Sequence, residues 1–229
     1  MKSTSHGEYL TRITKGGFVN CFLVREDDGF TLVDTMLPKS EKGILEAAES
    51  LGAPIVRIAL THAHQDHAGS VDALKAALPD AEVLITARDA RFLAGDKTLE
   101  PDEAVDGKPR GSWITLETEP TRLIGPGERV GSLEVISSPG HTPGHVAFLD
   151  TRDRTLIAGD SWVTLGGVSV PSRANPRFPL VWFGTGNRPQ AFGSAKALRA
   201  LDPSRLAVGH GKVVESPGAA MDRAIAKAS

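Results

Sequence analysis

From Leu60 to Gly69 the chain reads Leu-Thr-His-Ala-His-Gln-Asp-His-Ala-Gly, which sets His62, His64, Asp66 and His67 within six residues. Imidazole nitrogens and carboxylate oxygens are good ligands for zinc and for other first-row transition metals. A single loop histidine is usually a surface residue. Adding an aspartate at i+4 and a third histidine at i+5 to a His-x-His pair makes a metal-binding loop the simpler reading. Three later segments offer the same chemistry. Ser138 to His145 reads Ser-Pro-Gly-His-Thr-Pro-Gly-His and carries His141 and His145 on a Gly/Pro-rich turn. Ile157-Ala-Gly-Asp160 ends an apolar run with a carboxylate, and Leu206-Ala-Val-Gly-His-Gly211 ends another with His210 between glycines.

These residues need elements that deliver them to one place. Ile55 to Leu60 is a short apolar run that predicts a buried strand leading directly into the His-rich loop. The stretch Ser70 to Leu78 follows with Val71, Leu74 and Leu78 on one helical face. The cluster therefore falls on a strand-to-helix turn, where functional loops of α/β folds lie. In the other three places a buried strand again runs into a turn with a ligand at its end. Small residues flank each ligand, and glycine lets backbone approach a metal closely.

The rest of the chain alternates in the same way. Tyr9 to Ile13 and Phe18 to Val24 read as strands, Asp28-Gly29 as a hairpin turn, and Phe30 to Val33 as the return strand. A helix is predicted over Pro38 to Leu51, a strand over Ala81 to Thr86 and a short helix over Ala87 to Leu93. Leu133 to Ile136, Val146 to Leu149 and Thr155 to Ala158 read as strands, and Pro189 to Leu201 and Pro217 to Ala228 as helices. Strands and helices alternate in two halves, which suits two sheets covered by outer helices. No linker-like segment interrupts them, so residues 1–229 are read as a single domain.

The ordered set T-H-A-H-Q-D-H-A-G, P-G-H-T-P-G-H, A-G-D and V-G-H-G, running from residue 61 to 211, resembles the metallo-β-lactamase superfamily of metal-dependent hydrolases. Leu32-Val-Asp-Thr35 also fits that family's first strand-end aspartate. The resemblance implies an α/β fold, an αββα sandwich of two mixed β-sheets flanked by helices. It implies a dinuclear site in which His62, His64 and His141 hold one ion, Asp66, His67 and His210 hold the second, and Asp160 bridges them. The implied cofactors are two divalent metal ions, Zn2+ first, with manganese or iron as alternatives. A hydroxide shared by the ions would attack a polarised carbonyl or phosphoryl group. Asp66 is the candidate proton shuttle as well as a ligand. The implied function is hydrolysis of a small-molecule ester, thioester, lactone or amide. Two alternatives stand beside it. One is a mononuclear iron oxidoreductase of the persulfide-dioxygenase type on the same fold, which the full seven-ligand set disfavours. The other is a non-catalytic metal-binding protein.

Departures from the pattern narrow the choice. Asp160, not Cys, follows Gly159, against the thiolate-containing β-lactamases. The glutathione-binding helical part of glyoxalase II is expected to be missing after His210. Tyr9 is the single tyrosine, so the tyrosine of quorum-quenching lactonases after the bridging aspartate is absent. His64 stands where flavodiiron proteins have an acidic residue.

Other groups receive humbler roles. His145 is read as a structural or pocket-edge residue, Asp34 as a support for the ligand loop, Cys21 as a small buried hydrophobe and His6 as a bystander. Ser161 to Arg188 carries Trp162, Phe178, Trp182 and Phe183 with Arg173, Arg177 and Arg188. These would either wall a pocket or simply pack and solvate the loop. Gly95 to Ser112 is read as a polar surface loop, with a lid anchored by Trp113 as the alternative. Hydrophobic content of 40% and charge of 24% are ordinary for a globular protein. A net charge of −2 gives no reason to expect nucleic acid or an anionic membrane. No apolar run approaches the roughly 20 residues that span a bilayer. Cytoplasmic placement and a small-molecule substrate are expected, with the oligomeric state open.

Overall fold

Runs of Val, Ile, Leu and Phe become strands throughout, and the computed structural model, which describes residues 1–103 and 107–229, joins them into two mixed sheets. The chain divides into two units, one of Met1–Asp96 with Trp113–Ile124 and one of Lys97–Ser112 with Gly125–Ser229. Each unit holds one sheet.

In the first unit the strands are β1 (Lys2–His6), β2 (Leu10–Lys15), β3 (Val19–Glu26), β4 (Gly29–Val33), β5 (Ile55–Ala59), β6 (Glu82–Thr86) and β7 (Arg122–Ile124), in sequential order across a 7-stranded sheet. β1 to β4 form an antiparallel meander, and β4 to β7 run parallel. Parallel neighbours need crossover connections. α1 (Glu41–Ser50) supplies the first, α2 (Gln65–Ala68) with α3 (Val71–Ala77) the second, and α4 (Ala87–Leu93) opens the third. Every residue of β4 is buried, because a strand covered on both faces loses its polar alternation. Asp72 of α3 accepts hydrogen bonds from the backbone N–H groups of Glu117 and Thr118, tying the approach to β7 onto that helix.

The second unit holds β8 (Arg129–Val130), β9 (Leu133–Ser137), β10 (Val146–Asp150) and β11 (Thr155–Ile157), then α5 (Leu180–Gly184), α6 (Arg188–Ala200), β12 (Arg205–Ala207), β13 (Val214–Glu215) and α7 (Gly218–Ala228). The sheet order is β13-β12-β11-β10-β9-β8. Only β11 and β12 run parallel, and α5 and α6 lie in the connection between them. Leu149, Leu156 and Leu206 of this sheet pack with Ala195 and Leu198 of α6 and with Met221 and Ala224 of α7. Asn187 caps α6 by accepting the Gln190 N–H at 3.1 Å.

The sequence reading located the main strands and helices within a few residues, but six elements escaped it. Residues 2–6, read as a polar tail with His6 a bystander, pair with β2 in the register Lys2↔Thr14 to His6↔Leu10. An exposed edge strand tolerates the polar sequence Lys-Ser-Thr-Ser-His. α2 is one turn inside the His-rich loop, α5 is five residues long, β7 has three residues, and β8 and β13 have two each, all too short to show a period. The stretch Gly95 to Ser112 has neither helix nor strand among its described residues, and its positions 104–106 lie outside them. Among the described residues, no helix is long and apolar enough to cross a membrane.

Candidate metal centre

Strand β5 ends at Ala59, and the chain turns through Thr61, His62 and Ala63 before α2 begins beyond His64. One helical turn then sets Asp66 and His67 on the same short element. The His62 ring lies 4.8 Å from that of His64 and 4.0 Å from that of His67. Donor atoms of His62 and His64, of His62 and His67, and of Asp66 and His67 come within 4.8 Å of each other. The three histidines are buried and Asp66 is half-buried. The first unit thus brings together its four sequence-predicted ligands.

Asp34 organises this loop from the end of β4. Its φ of 61° lies in the left-handed region, which aspartate tolerates better than most residues. Its carboxylate accepts the Thr61 backbone N–H at 2.8 Å and the Thr61 hydroxyl at 2.9 Å. The same carboxylate is 2.8 Å from His67 Nδ1. A carboxylate only accepts, so His67 carries its proton on Nδ1. Thr61 spends its one hydroxyl proton on Asp34, so its oxygen accepts from His62 Nδ1 at 3.0 Å. Both imidazoles donate from Nδ1, and as neutral rings they carry the lone pair on Nε2, the form in which a carboxylate-backed histidine binds metal.

The second unit supplies the other three predicted ligands, each at a strand end. His141 follows β9 and Gly140, whose φ is 123°. A Cβ at Gly140 would collide with the Ala191 backbone of α6, so only glycine lets the turn sit against that helix. His141 Nδ1 is 2.9 Å from Thr185 Oγ1, and Thr185 in turn donates to the Val181 carbonyl at 2.7 Å. The hydroxyl proton is used, so His141 donates from Nδ1, and as a neutral ring it carries its lone pair on Nε2. Asp160 follows β11 and His210 follows β12. Asp160 Oδ2 lies 3.3 Å from His141 Nε2 and 3.4 Å from His210 Nε2. A neutral His141 turns its Nε2 lone pair toward that carboxylate, which is unfavourable by itself, and a cation held between them resolves it. The donors of both units fit metal ions on these grounds. The His210 carbonyl accepts the N–H groups of Thr164 and Leu165 at 3.0 and 3.1 Å. Gly211 beside it has no room for a side chain against the same two residues.

His145 is placed differently from His141 despite the repeated Pro-Gly-His. Its Nε2 accepts the Asp160 backbone N–H at 3.1 Å, and its Nδ1 donates to Ser138 Oγ at 2.8 Å. Both ring nitrogens serve the scaffold and fix the backbone of Asp160.

Sequence reasoning missed several supports. Asp89 of α4 accepts the Ala63 N–H at 3.0 Å, pinning the backbone between His62 and His64. Its only sequence signal is its position in the first turn of a helix. Thr185 lies 44 residues from His141, with no local cue. Trp113 packs its ring 4.6 Å from His64 and 4.2 Å from Phe92. The aromatic loop divides between the two expected roles. Trp162 is fully buried in the core, and Phe178 lies 5.0 Å from the His210 ring. Leu180 and Phe183 are 60% and 55% exposed, so part of α5 faces solvent. Arg173, Arg177 and Arg188 donate to the carbonyls of Lys227, Gly166 and Trp182. Burial, reinforced by the charge of Asp34, pushes the Cys21 thiol well above its usual range, so Cys21 stays protonated.

Two mixed sheets with helices, and histidines and aspartates gathered at strand ends, define a metal-binding α/β protein. Residues 14–210 match the metallo-beta-lactamase superfamily, and the chain belongs to that family. YobT of Bacillus subtilis (strain 168), an uncharacterized protein, is 47% identical over 210 residues, covering 92% of this chain and 90% of that one. A hydroxyacylglutathione hydrolase of Rhodospirillum rubrum is 34% identical over 130 residues, covering 56% of this chain but 42% of its own. Among solved structures, TTHA1623 in a di-iron-bound form is 29% identical with a TM-score of 0.67, covering 90% of this chain and 93% of that one. The fold implied by the sequence motifs is the fold found.

Proposed function

We propose that the protein is a dinuclear metal-dependent hydrolase of a small molecule, acting at an ester, thioester, lactone or amide carbonyl. The observation that carries this reading is the hydrogen bond at Nδ1 of His62, His67 and His141, which leaves Nε2 of each ring as the nitrogen for a metal. In this reading His62, His64 and His141 would hold one ion, Asp66, His67 and His210 would hold the other, and Asp160 would serve both. Bound there, divalent ions supply Lewis acidity toward a carbonyl and a nucleophile at neutral pH. Zinc is the proposed metal, with manganese or iron as alternatives, and the di-iron form of the TTHA1623 structure supports iron as a competitor.

The chain's own residues do the rest. Asp34 and Thr61 orient His62 and His67, Thr185 orients His141, and His145 holds the backbone of Asp160. Asp66, half-buried beside His67, accepts and returns a proton. Lewis acidity toward a carbonyl oxygen would favour a strongly polarised substrate. The hydroxyacylglutathione hydrolase relative supports a thioester among the candidate carbonyls.

The test is elemental analysis of metal-loaded protein with a panel of p-nitrophenyl ester, thioester, lactone and phosphodiester substrates. Two metals per chain and turnover of a carbonyl substrate are expected. Asp160→Ala should disturb both ions, and His210→Ala mainly the second. One tightly held iron with no second ion would replace this reading by the mononuclear oxygenase one.

A further inference from the structure

Within the second unit, α7 and the segment after Asp160 enclose a cavity of about 350 Å³ that contains none of the proposed metal ligands. Ala220, Arg223, Ala224 and Lys227 line one side of it. Their spacing of i, i+3, i+4 and i+7 is one helical face, so two alanines and two cations alternate toward the space. Val168 and Val170 line the opposite side with Arg173. Val170 and Ala224 belong to the core of this unit and Val168 packs against it, so the floor is apolar. Three cations line the cavity and no carboxylate does.

The charges are unrelieved. Among the described residues, neither Arg223 nor Lys227 has a side-chain hydrogen bond or ion pair. Like charges at i and i+4 on a helix repel by about 0.2–0.5 kcal/mol. Arg173, which donates to the Lys227 carbonyl, adds a third charge nearby. The adjacent acid, Asp222, is engaged by Arg199 instead, at 2.7 and 3.0 Å. An apolar floor with a few convergent polar groups at this volume is the usual build of a small-ligand pocket.

We propose that this pocket binds a small aliphatic carboxylic acid. Its alkyl tail lies over Val168, Val170 and Ala224, and its carboxylate sits among Arg173, Arg223 and Lys227. The bound acid rests on the segment whose Thr164 and Leu165 brace the His210 carbonyl, with Asn175 Nδ2 tied to the Leu165 carbonyl at 3.0 Å. The site is separate from the metal centre, and its existence does not depend on the hydrolase reading.

The test is calorimetric titration of octanoate into the metal-replete full chain, with inorganic phosphate as the probe that lacks a tail. Saturable octanoate binding is expected, weaker by at least about tenfold in Arg223→Glu/Lys227→Glu. Both positions are exposed, so circular dichroism and Tm should match the parent protein. Val168→Trp, which fills the floor, should weaken octanoate binding without a change in charge. Absence of octanoate binding overturns the proposal. So does octanoate binding that survives the double charge reversal, because it then lies elsewhere. Phosphate binding as tight as octanoate would overturn the role of the apolar floor.

Discussion

Asp34 is the residue whose replacement best separates folding from metal binding. Its side chain is 2% exposed and accepts from the Thr61 N–H, the Thr61 hydroxyl and His67 Nδ1. In Asp34→Ala the Thr61 amide and the His67 ring N–H both lose their buried acceptor. Each such loss costs about 1–3 kcal/mol, so the pair costs about 2–6 kcal/mol. Alanine at a φ of 61° adds about 1–2 kcal/mol of backbone strain. Against a typical domain stability of about 5–15 kcal/mol, Asp34→Ala should be severely destabilised.

Asp34→Asn tests a different link. Asparagine also tolerates the left-handed backbone, and its amide oxygen can still accept from Thr61. Its NH2 group, however, faces His67 Nδ1, and a donor facing a donor is unfavourable. The imidazole answers by moving its proton to Nε2, which removes the lone pair proposed to bind metal. The fold should therefore suffer less than in Asp34→Ala, while metal affinity falls by about 10- to 100-fold, the usual range for a lost outer support. Urea unfolding of metal-free protein gives the first quantity, and chelator competition gives the second. If Asp34→Asn binds metal as tightly as the parent protein, the tautomer argument is wrong. If Asp34→Ala is as stable as Asp34→Asn, the hydrogen-bond accounting is wrong.

Three further outcomes are expected. His141→Ala should lose metal by more than the roughly 100-fold ceiling of an outer support, whereas His145→Ala should keep its metal with weakened turnover. His145→Gln, which can still accept the Asp160 N–H, should recover more turnover than His145→Ala, and metal analysis with kinetics on one ester checks all three. Hydrogen bonds from Thr118 and Glu117 outweigh the burial that would raise the Asp72 carboxyl, leaving it below its ordinary 3.8. A lowered folded-state pKa means stability that is present above 3.8 and lost as pH falls through the folded value, so the gap in urea midpoint between parent and Asp72→Asn should close on acidification below that point. Shortening Lys97 to Lys108 to a Gly-Ser turn should leave metal content and ester kinetics unchanged, and a large rise in KM with full metal content would make the segment a lid.

Much of the fold was legible because its strands are central and its helices amphipathic. Ile55 to Ala59 and Val146 to Asp150 are apolar runs; the first leads into the turn that bears His62 and His64, and the second leaves the turn that bears His141. The edge strand β1 was illegible because its side chains face water and need no apolar pattern. α2 was hidden because a single helical turn made of Gln, Asp, His and Ala has no face to read. The candidate ligands were legible by type and order, since His62, His64, Asp66 and His67 crowd one loop. Asp34 was also legible as a support of that loop from its strand-end position, but its partners and the other supports were not. Asp34 comes to Thr61 and His67 across 27 and 33 residues, and Asp89 comes to Ala63 across 26. Such pairings are set by which strands neighbour each other in the sheet, and local sequence does not carry that information.

The two histidines of Pro-Gly-His-Thr-Pro-Gly-His show the same limit at atomic scale. Both are buried, both hold a proton on Nδ1, and both give that proton to a hydroxyl, Thr185 for His141 and Ser138 for His145. What separates them is the partner of Nε2. For His145 it is the Asp160 N–H, a donor that consumes the lone pair. For His141 it is the Asp160 carboxylate at 3.3 Å, which cannot donate. One histidine therefore holds the backbone of the aspartate, and the other shares with its side chain a gap that a cation would fill. The distinction depends on β11 ending beside the β9–β10 turn, so that one residue, Asp160, meets both rings with chemically opposite groups.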